Sequence, residues 1–264
     1  LYENTVPAVP EMSVLALRSS ARAPGLPGVD AALWRATEYA AAPAAVVPTG
    51  WAALDAQLPG GGWPGRAVCE VLLAQPASVE WRLLAPALQQ VTAGGGTVVA
   101  VAPPQPPYLP GLIHAGLDER RFVWVRADAP AQQLWAVEQL VKADAAGAVV
   151  AWLPQARPEH LHRLQVCAQA CAGLVLLCRP QAAQHEPSAA PLRLHAAPGP
   201  GWALQVRVLK RRGPAHEGRL NLPALPQGLH GLLPAEPQPS PAKESADAVG
   251  GTVLALRPRR PAAR

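Results

Sequence analysis

Apolar residues recur along this chain in two rhythms. Ala67–Leu73, Thr97–Ala102, Phe122–Val125, Ala148–Leu153 and Leu174–Cys178 are short, nearly unbroken apolar runs, the pattern of strands buried on both faces. Between them lie stretches with helical spacing. Val79–Leu88 predicts a helix that Pro86 kinks or restarts and that Gly94-Gly95-Gly96 stops. Leu109–Leu117 predicts a short helix, Ala131–Ala143 a longer one with Leu134, Val137, Glu138 and Val141 on one face, and Arg157–Ala172 another. Leu192–Ala196 and Trp202–Leu209 alternate strictly across Pro198-Gly199-Pro200-Gly201, which predicts a hairpin. The whole predicts an α/β fold: a mostly parallel sheet, helices on both faces and a C-terminal antiparallel hairpin.

The two ends carry less pattern. Residues 1–45 predict an N-terminal arm with one helix, Asp30–Ala40, for which Asp30 is a suitable N-cap. Residues 46–233 form the expected core. Residues 234–264 are rich in Pro, Ala and Arg without periodicity and predict a disordered tail.

Composition changes this picture little. The chain has 264 residues, enough for one sizeable core, and a formal net charge of +5, which mildly favours an acidic partner. The basic residues gather in two places: Lys210, Arg211 and Arg212 with Arg219, and Arg257, Arg259 and Arg260 in the tail. Both groups are candidate contacts for DNA or a protein partner, and the first is equally well a solvated strand end. Trp51 and Trp63 are candidate partner anchors, with core packing as the alternative.

Catalytic and metal chemistry finds little foothold. Cys69, Cys167, Cys171 and Cys178 include no C-x-x-C pair, and free buried thiols fit a reducing cytosol. His160 and His162 on one helix point apart, which disfavours a metal site, and no G-x-S-x-G elbow occurs. Neither a signal-peptide pattern nor a run of eighteen apolar residues is present, so the expected location is the cytoplasm, with no membrane partner.

The strand–loop–helix unit from Arg66 to Gly96 is where a nucleotide-binding α/β protein places its phosphate loop, G-x-x-x-x-G-K-[ST]. Laid over this chain, the template's glycines fall on Ala74 and Val79, its lysine on Glu80 and its hydroxyl on Trp81. A carboxylate at the lysine position repels a triphosphate, and no hydroxyl remains for magnesium. No Lys occurs between Leu1 and Val141, so a shifted register recovers none. Glu80 itself fits a solvated residue in the first helical turn. The expectation is a degenerate loop with no cofactor and no catalytic residues.

Just upstream, Thr49-Gly50, Leu54-Asp55, Leu58, Gly60-Gly61-Gly62, Pro64-Gly65-Arg66 and then Glu70 follow one another in an order that resembles the approach to the phosphate-loop strand of RecA-like recombinases. The resemblance covers roughly Val46–Leu222 and implies a RecA-like core. It also implies a catalytic glutamate after the second strand, where Pro103-Pro104-Gln105-Pro106-Pro107 stands, and a magnesium-organising aspartate after the fourth, where Trp152-Leu153-Pro154 stands. A mobile DNA-binding loop is implied near Gln181–Pro191. For Glu70 the expected role is a structural hydrogen bond or ion pair.

Within that superfamily, Gly62–Pro76, Glu80, Arg82-Leu83-Leu84 and Pro86-Ala87-Leu88 resemble the ImuA group, short RecA-related proteins also described as relatives of the SulA cell-division inhibitor. Members often carry Gly where this chain has Ala77 and Val79. The resemblance implies a non-catalytic accessory role in SOS-induced translesion DNA synthesis. The implied partners are an ImuB-type Y-family polymerase relative and an alternative replicative DNA polymerase alpha subunit. A SulA-like division inhibitor and a divergent nucleotide-binding ATPase are the alternatives.

Overall fold

The computed structural model describes residues 46–77 and 79–224. The predicted arm helix and the 234–264 tail, with Arg257, Arg259 and Arg260, lie outside the described residues. Two short strands, β1 (Val46–Val47) and β2 (Trp63–Pro64), pair antiparallel and bracket a single helical turn, α1 (Ala52–Asp55). This folded lead-in accounts for the glycine-rich approach motif. The backbone N–H of Thr49 donates to Oδ1 of Asp55 at 2.8 Å, and the N–H of Trp51 donates to Oγ1 of Thr49 at 3.1 Å. A Cβ on Gly62 would stand 2.3 Å from the carbonyl oxygen of Val47, so only glycine fits there.

The core strands are β3 (Val68–Leu73), β4 (Val98–Val101), β5 (Phe122–Val125), β6 (Ala148–Trp152), β7 (Leu174–Pro180), β8 (Leu192–Pro198), β9 (Leu204–Lys210) and β10 (Leu220–Leu222). They form one eight-stranded sheet in the order β10-β9-β8-β3-β7-β6-β4-β5. Neighbours from β5 through to β8 pair parallel, while β9 pairs antiparallel with both β8 and β10. The architecture is a mostly parallel α/β sheet with helices on both faces and a C-terminal antiparallel hairpin, consistent with a RecA-like core.

Helix α2 (Glu80–Ala93) covers one face, burying Leu83, Leu84 and Leu88 with Cys69, Val71 and Leu73 of β3. The short α3 (Leu109–His114) adds Leu112 to the same cluster. Helices α4 (Pro130–Lys142) and α5 (Pro158–Ala168) cover the other face, where Val137, Val141, Leu161 and Leu164 meet Val68 and Val175.

Three sequence expectations shift. Helix α2 runs unbroken through Pro86. The proline ring has a use on the helix surface: Gly50, at φ +83°, packs so close that an added Cβ would lie 2.3 Å from Cβ of Pro86. Helix α5 stops at Ala168 rather than Ala172, and Gln169 and Ala170 continue as a turn. Part of the stretch where a loop is implied is helical: Gln181–His185 forms a 3-10 turn, with the Ala183 carbonyl tied down as described below.

Candidate functional site

The carboxyl ends of β3, β4, β5, β6 and β7 border a cleft of about 450 Å³. In open α/β sheets such a crevice is where ligands bind. Its walls are mostly apolar: Leu73, Pro76, Pro103, Pro104, Trp124, Trp152 and Pro154 line it, with Arg126, Asp128, Gln133 and Arg179 as polar groups.

The degenerate loop opens onto this crevice, and Glu80 organises it. Its side chain is fully buried, which corrects the expectation of a solvated first-turn residue. Oε1 accepts the backbone N–H of Ala77 at 2.6 Å and the indole Nε1–H of Trp152 at 2.9 Å. Oε2 accepts the backbone N–H of Val79 at 3.0 Å. Ala77 holds a left-handed backbone, φ +61°, that a phosphate loop would assign to glycine. The chain's own carboxylate therefore takes up loop N–H groups of the kind that would cradle a phosphate.

The neighbouring template positions are filled by aromatic packing. The Trp81 ring lies 5.2 Å from that of Trp152 and 6.0 Å from that of Phe122. Beneath them Cys178 is buried, and burial first, then the charge of Glu80, push its thiol well above the ordinary range. Ala74 is exposed at the start of the loop.

Glu70 has the structural role expected of it, in a stronger form. It is fully buried, and it accepts Nη1–H of Arg179 at 2.8 Å and Nε–H of Arg193 at 2.6 Å. Because β7 and β8 flank β3 in parallel register, Glu70 sits between both arginines in the sheet. Arg179 reaches on to the Ala156 carbonyl at 2.6 Å and to Glu186 at 2.7 Å. Arg193 donates to the carbonyl of Ala183 at 2.6 Å. This network pins the 3-10 turn over the sheet. Neither Arg179 nor Arg193 was legible as a site residue, since each stands in a strand among apolar neighbours.

The predicted basic contact residues divide. Arg211 turns inward: Nε donates to the Pro214 carbonyl at 2.8 Å, and the guanidinium also donates to the carbonyl of Gln57. It is a structural brace. Lys210, Arg212 and Arg219 are exposed. Trp63 is fully buried, the core-packing alternative, and Trp51 is half-buried with its indole donating to the Leu83 carbonyl at 2.9 Å. His160 accepts the Arg157 backbone N–H at 3.2 Å through Nδ1, inside a helix cap. Among the described residues no three His, Cys, Asp or Glu side chains gather as a metal-ligand set, and no helix is long and apolar enough to cross a membrane.

No protein-family model matches the chain, and no curated protein matches it.

Proposed function

We propose that this chain is a non-catalytic, RecA-like accessory protein of SOS-induced translesion DNA synthesis, acting in the cytoplasm by assembling a mutagenic polymerase complex. Its partners on this reading are an ImuB-type Y-family polymerase relative and an alternative replicative polymerase alpha subunit. The branch is suggested by the ImuA-like approach motif. The observation that carries the non-hydrolytic part is the bond network of Glu80. At the position where a phosphate loop needs a cation stands a buried anion, already satisfied by Ala77, Val79 and Trp152. Trp152 fills the place of the magnesium-organising acid, so two hydrolytic positions are joined in one hydrogen bond. These features weigh against the divergent ATPase.

An assembly role also suits the far edge of the sheet. Among the described residues β5 pairs only with β4, and its Val123 and Trp124 are 46% and 41% exposed. A free strand edge carrying apolar side chains is a feature partners use. The test is affinity capture of the full chain from damage-treated cells, with mass spectrometry of what co-purifies, alongside Val123→Arg. Recovery of polymerase-related subunits supports the reading. Recovery of a cell-division protein without them moves it to the SulA-like inhibitor, and turnover of ATP by the purified chain overturns it.

A further inference from the structure

The antiparallel end of the sheet, β8-β9-β10, buries one face under the core; on the other face the 3-10 turn covers Arg193 of β8 and leaves Arg207 of β9 exposed. Leu204, Val206 and Val208 point into the core, so Gln205 and Arg207 point outward. His195 of β8 stands directly opposite Arg207 of β9. The ladder of β10 with β9 ends at Leu220 opposite Val206, and one further step in the same register would set Arg219 opposite Arg207. His195, Arg207 and Arg219 thus form a straight cross-strand row, about 10 Å long at ordinary strand spacing.

Lys210 joins them through an irregularity. Strict alternation would aim it at the core with Val206 and Val208. A bulge between Arg193 and Leu194 shifts the register, so that Arg193 opposes Lys210 while Leu194 opposes Val208. The extra residue turns Lys210 onto the open face, where Nζ donates to the Ser188 carbonyl at 2.8 Å. Arg212 follows, exposed.

Like charges placed opposite each other in a ladder destabilise it, and sheets normally interleave acids. Here Arg207, Arg219 and Arg212 have no carboxylate within ion-pair distance among the described residues. Two arginines in the buried part of the sheet are treated differently: Arg179 and Arg193 share Glu70. The fold has a way of neutralising arginine and does not use it on this face.

We propose that the open face of β8-β9-β10 is a docking surface for the sugar–phosphate backbone of a nucleic acid, with Arg207 and Arg219 as its centre and Lys210 and Arg212 as its flank. A straight row of cations a strand spacing apart suits a line of phosphates. Among the described residues of β8, β9 and β10 no Phe, Tyr or Trp stands on this face to stack on bases, so contact is with the backbone and without sequence preference. The inference goes beyond the function proposed above and stands on the geometry of the hairpin.

The experiment is fluorescence anisotropy of the full chain with labelled oligo-dT and with a duplex of equal length, across roughly 50–300 mM salt, a range over which backbone contacts weaken strongly. The variants are Arg207→Gln/Arg219→Gln and, removing the same charge elsewhere, Arg120→Gln/Arg157→Gln. Poly-glutamate serves as a competing polyanion. Loss of two phosphate contacts lowers the single-strand salt slope by about 1.4 and the affinity at low salt by roughly tenfold, and the control pair leaves both near wild type. An unchanged slope in the Arg207/Arg219 variant, no binding at 50 mM salt, or tighter binding of poly-glutamate than of either oligonucleotide overturns the proposal. Polymerase subunits that still co-purify in that event leave the proposed function standing, so the two fail separately.

Discussion

The indole of Trp152, at the carboxyl end of β6, donates to Oε1 of Glu80, at the start of α2, at 2.9 Å. The two residues are 72 positions apart in the chain and both are buried. Removing the carboxylate leaves the Trp152 indole and the N–H groups of Ala77 and Val79 without their acceptor. Glu80→Ala is therefore expected to cost roughly 1–3 kcal/mol per orphaned donor that water does not reach. The checks are urea unfolding and the change in tryptophan emission, to which Trp152 and Trp81 contribute among the chain's eight tryptophans. Glu80→Lys restores a template residue and is expected to give no ATP turnover, because Trp81 and Trp152 still occupy the places of the hydroxyl and the acid.

Glu70 makes a second prediction. It neutralises Arg179 and Arg193 where all three are almost fully excluded from water. Glu70→Ala strands two buried cations and is expected to cost about 3–5 kcal/mol, a fall in Tm of about 6–20 °C. Replacing all three residues by apolar side chains of similar size is expected to recover most of that loss, because the desolvation cost of the ions disappears with them. Differential scanning calorimetry of the single and triple variants decides it. A triple variant as unstable as Glu70→Ala would mean that the arginines' bonds to Ala156 and Ala183 carry the region instead.

The strands were legible because burial on both faces of a parallel sheet demands unbroken apolar runs, and Val68–Leu73 or Ala148–Trp152 have no other use for theirs. Strands β1, β2 and β10 were not, since two or three residues carry no period. Glu80 was misread for a local reason: an acid in a first helical turn is the ordinary surface pattern, and the partner that buries it comes from a distant strand. Lys210 illustrates a different limit. Alternation assigns it to the core face, and only the bulge opposite Arg193 puts it outside. The loss of phosphate-loop chemistry could be seen in the residue types, whereas the carboxylate that replaces it appears only in three dimensions.

The cysteines separate by burial. Cys69 and Cys178 are buried in strands and Cys171 behind the end of α5, while Cys167 is half-buried on the helix. Burial pushes the Cys69 thiol up, and burial with a hydrogen bond that the thiol donates to Asp144 pushes Cys171 up to about 11. The thiolate is the reactive form. At pH 8 an aromatic disulfide reagent is expected to modify Cys167 in the native protein and the other three only after denaturation. Rapid modification of more than one thiol in the folded chain would show that the strands around Cys69 or Cys178 open readily.

His195 gives the basic face a pH dependence whose sign follows from its neighbours. Burial first, then Arg207 of β9 and Arg219 before β10, lower its pKa below the ordinary value; from β3 it faces only Leu72. The unfolded chain therefore takes up a proton on this histidine at a higher pH than the folded one. Folding stability from this group is intact above the ordinary histidine range and falls as pH drops through it. A phosphate on the row works the other way. It offsets both arginine charges, raises the pKa of His195 toward its ordinary value and draws a proton in, so binding tightens as pH falls from 7.5 to 5.5. The gain is bounded by about tenfold for each unit the pKa recovers. Anisotropy with oligo-dT, whose phosphates and bases do not titrate in this window, is measured at fixed salt for wild type and His195→Gln. Wild type is expected to gain affinity on acidification by a larger factor than the variant. An equal gain in both would assign the proton to another histidine, and no gain in either would place the bound phosphate away from the row of His195, Arg207 and Arg219.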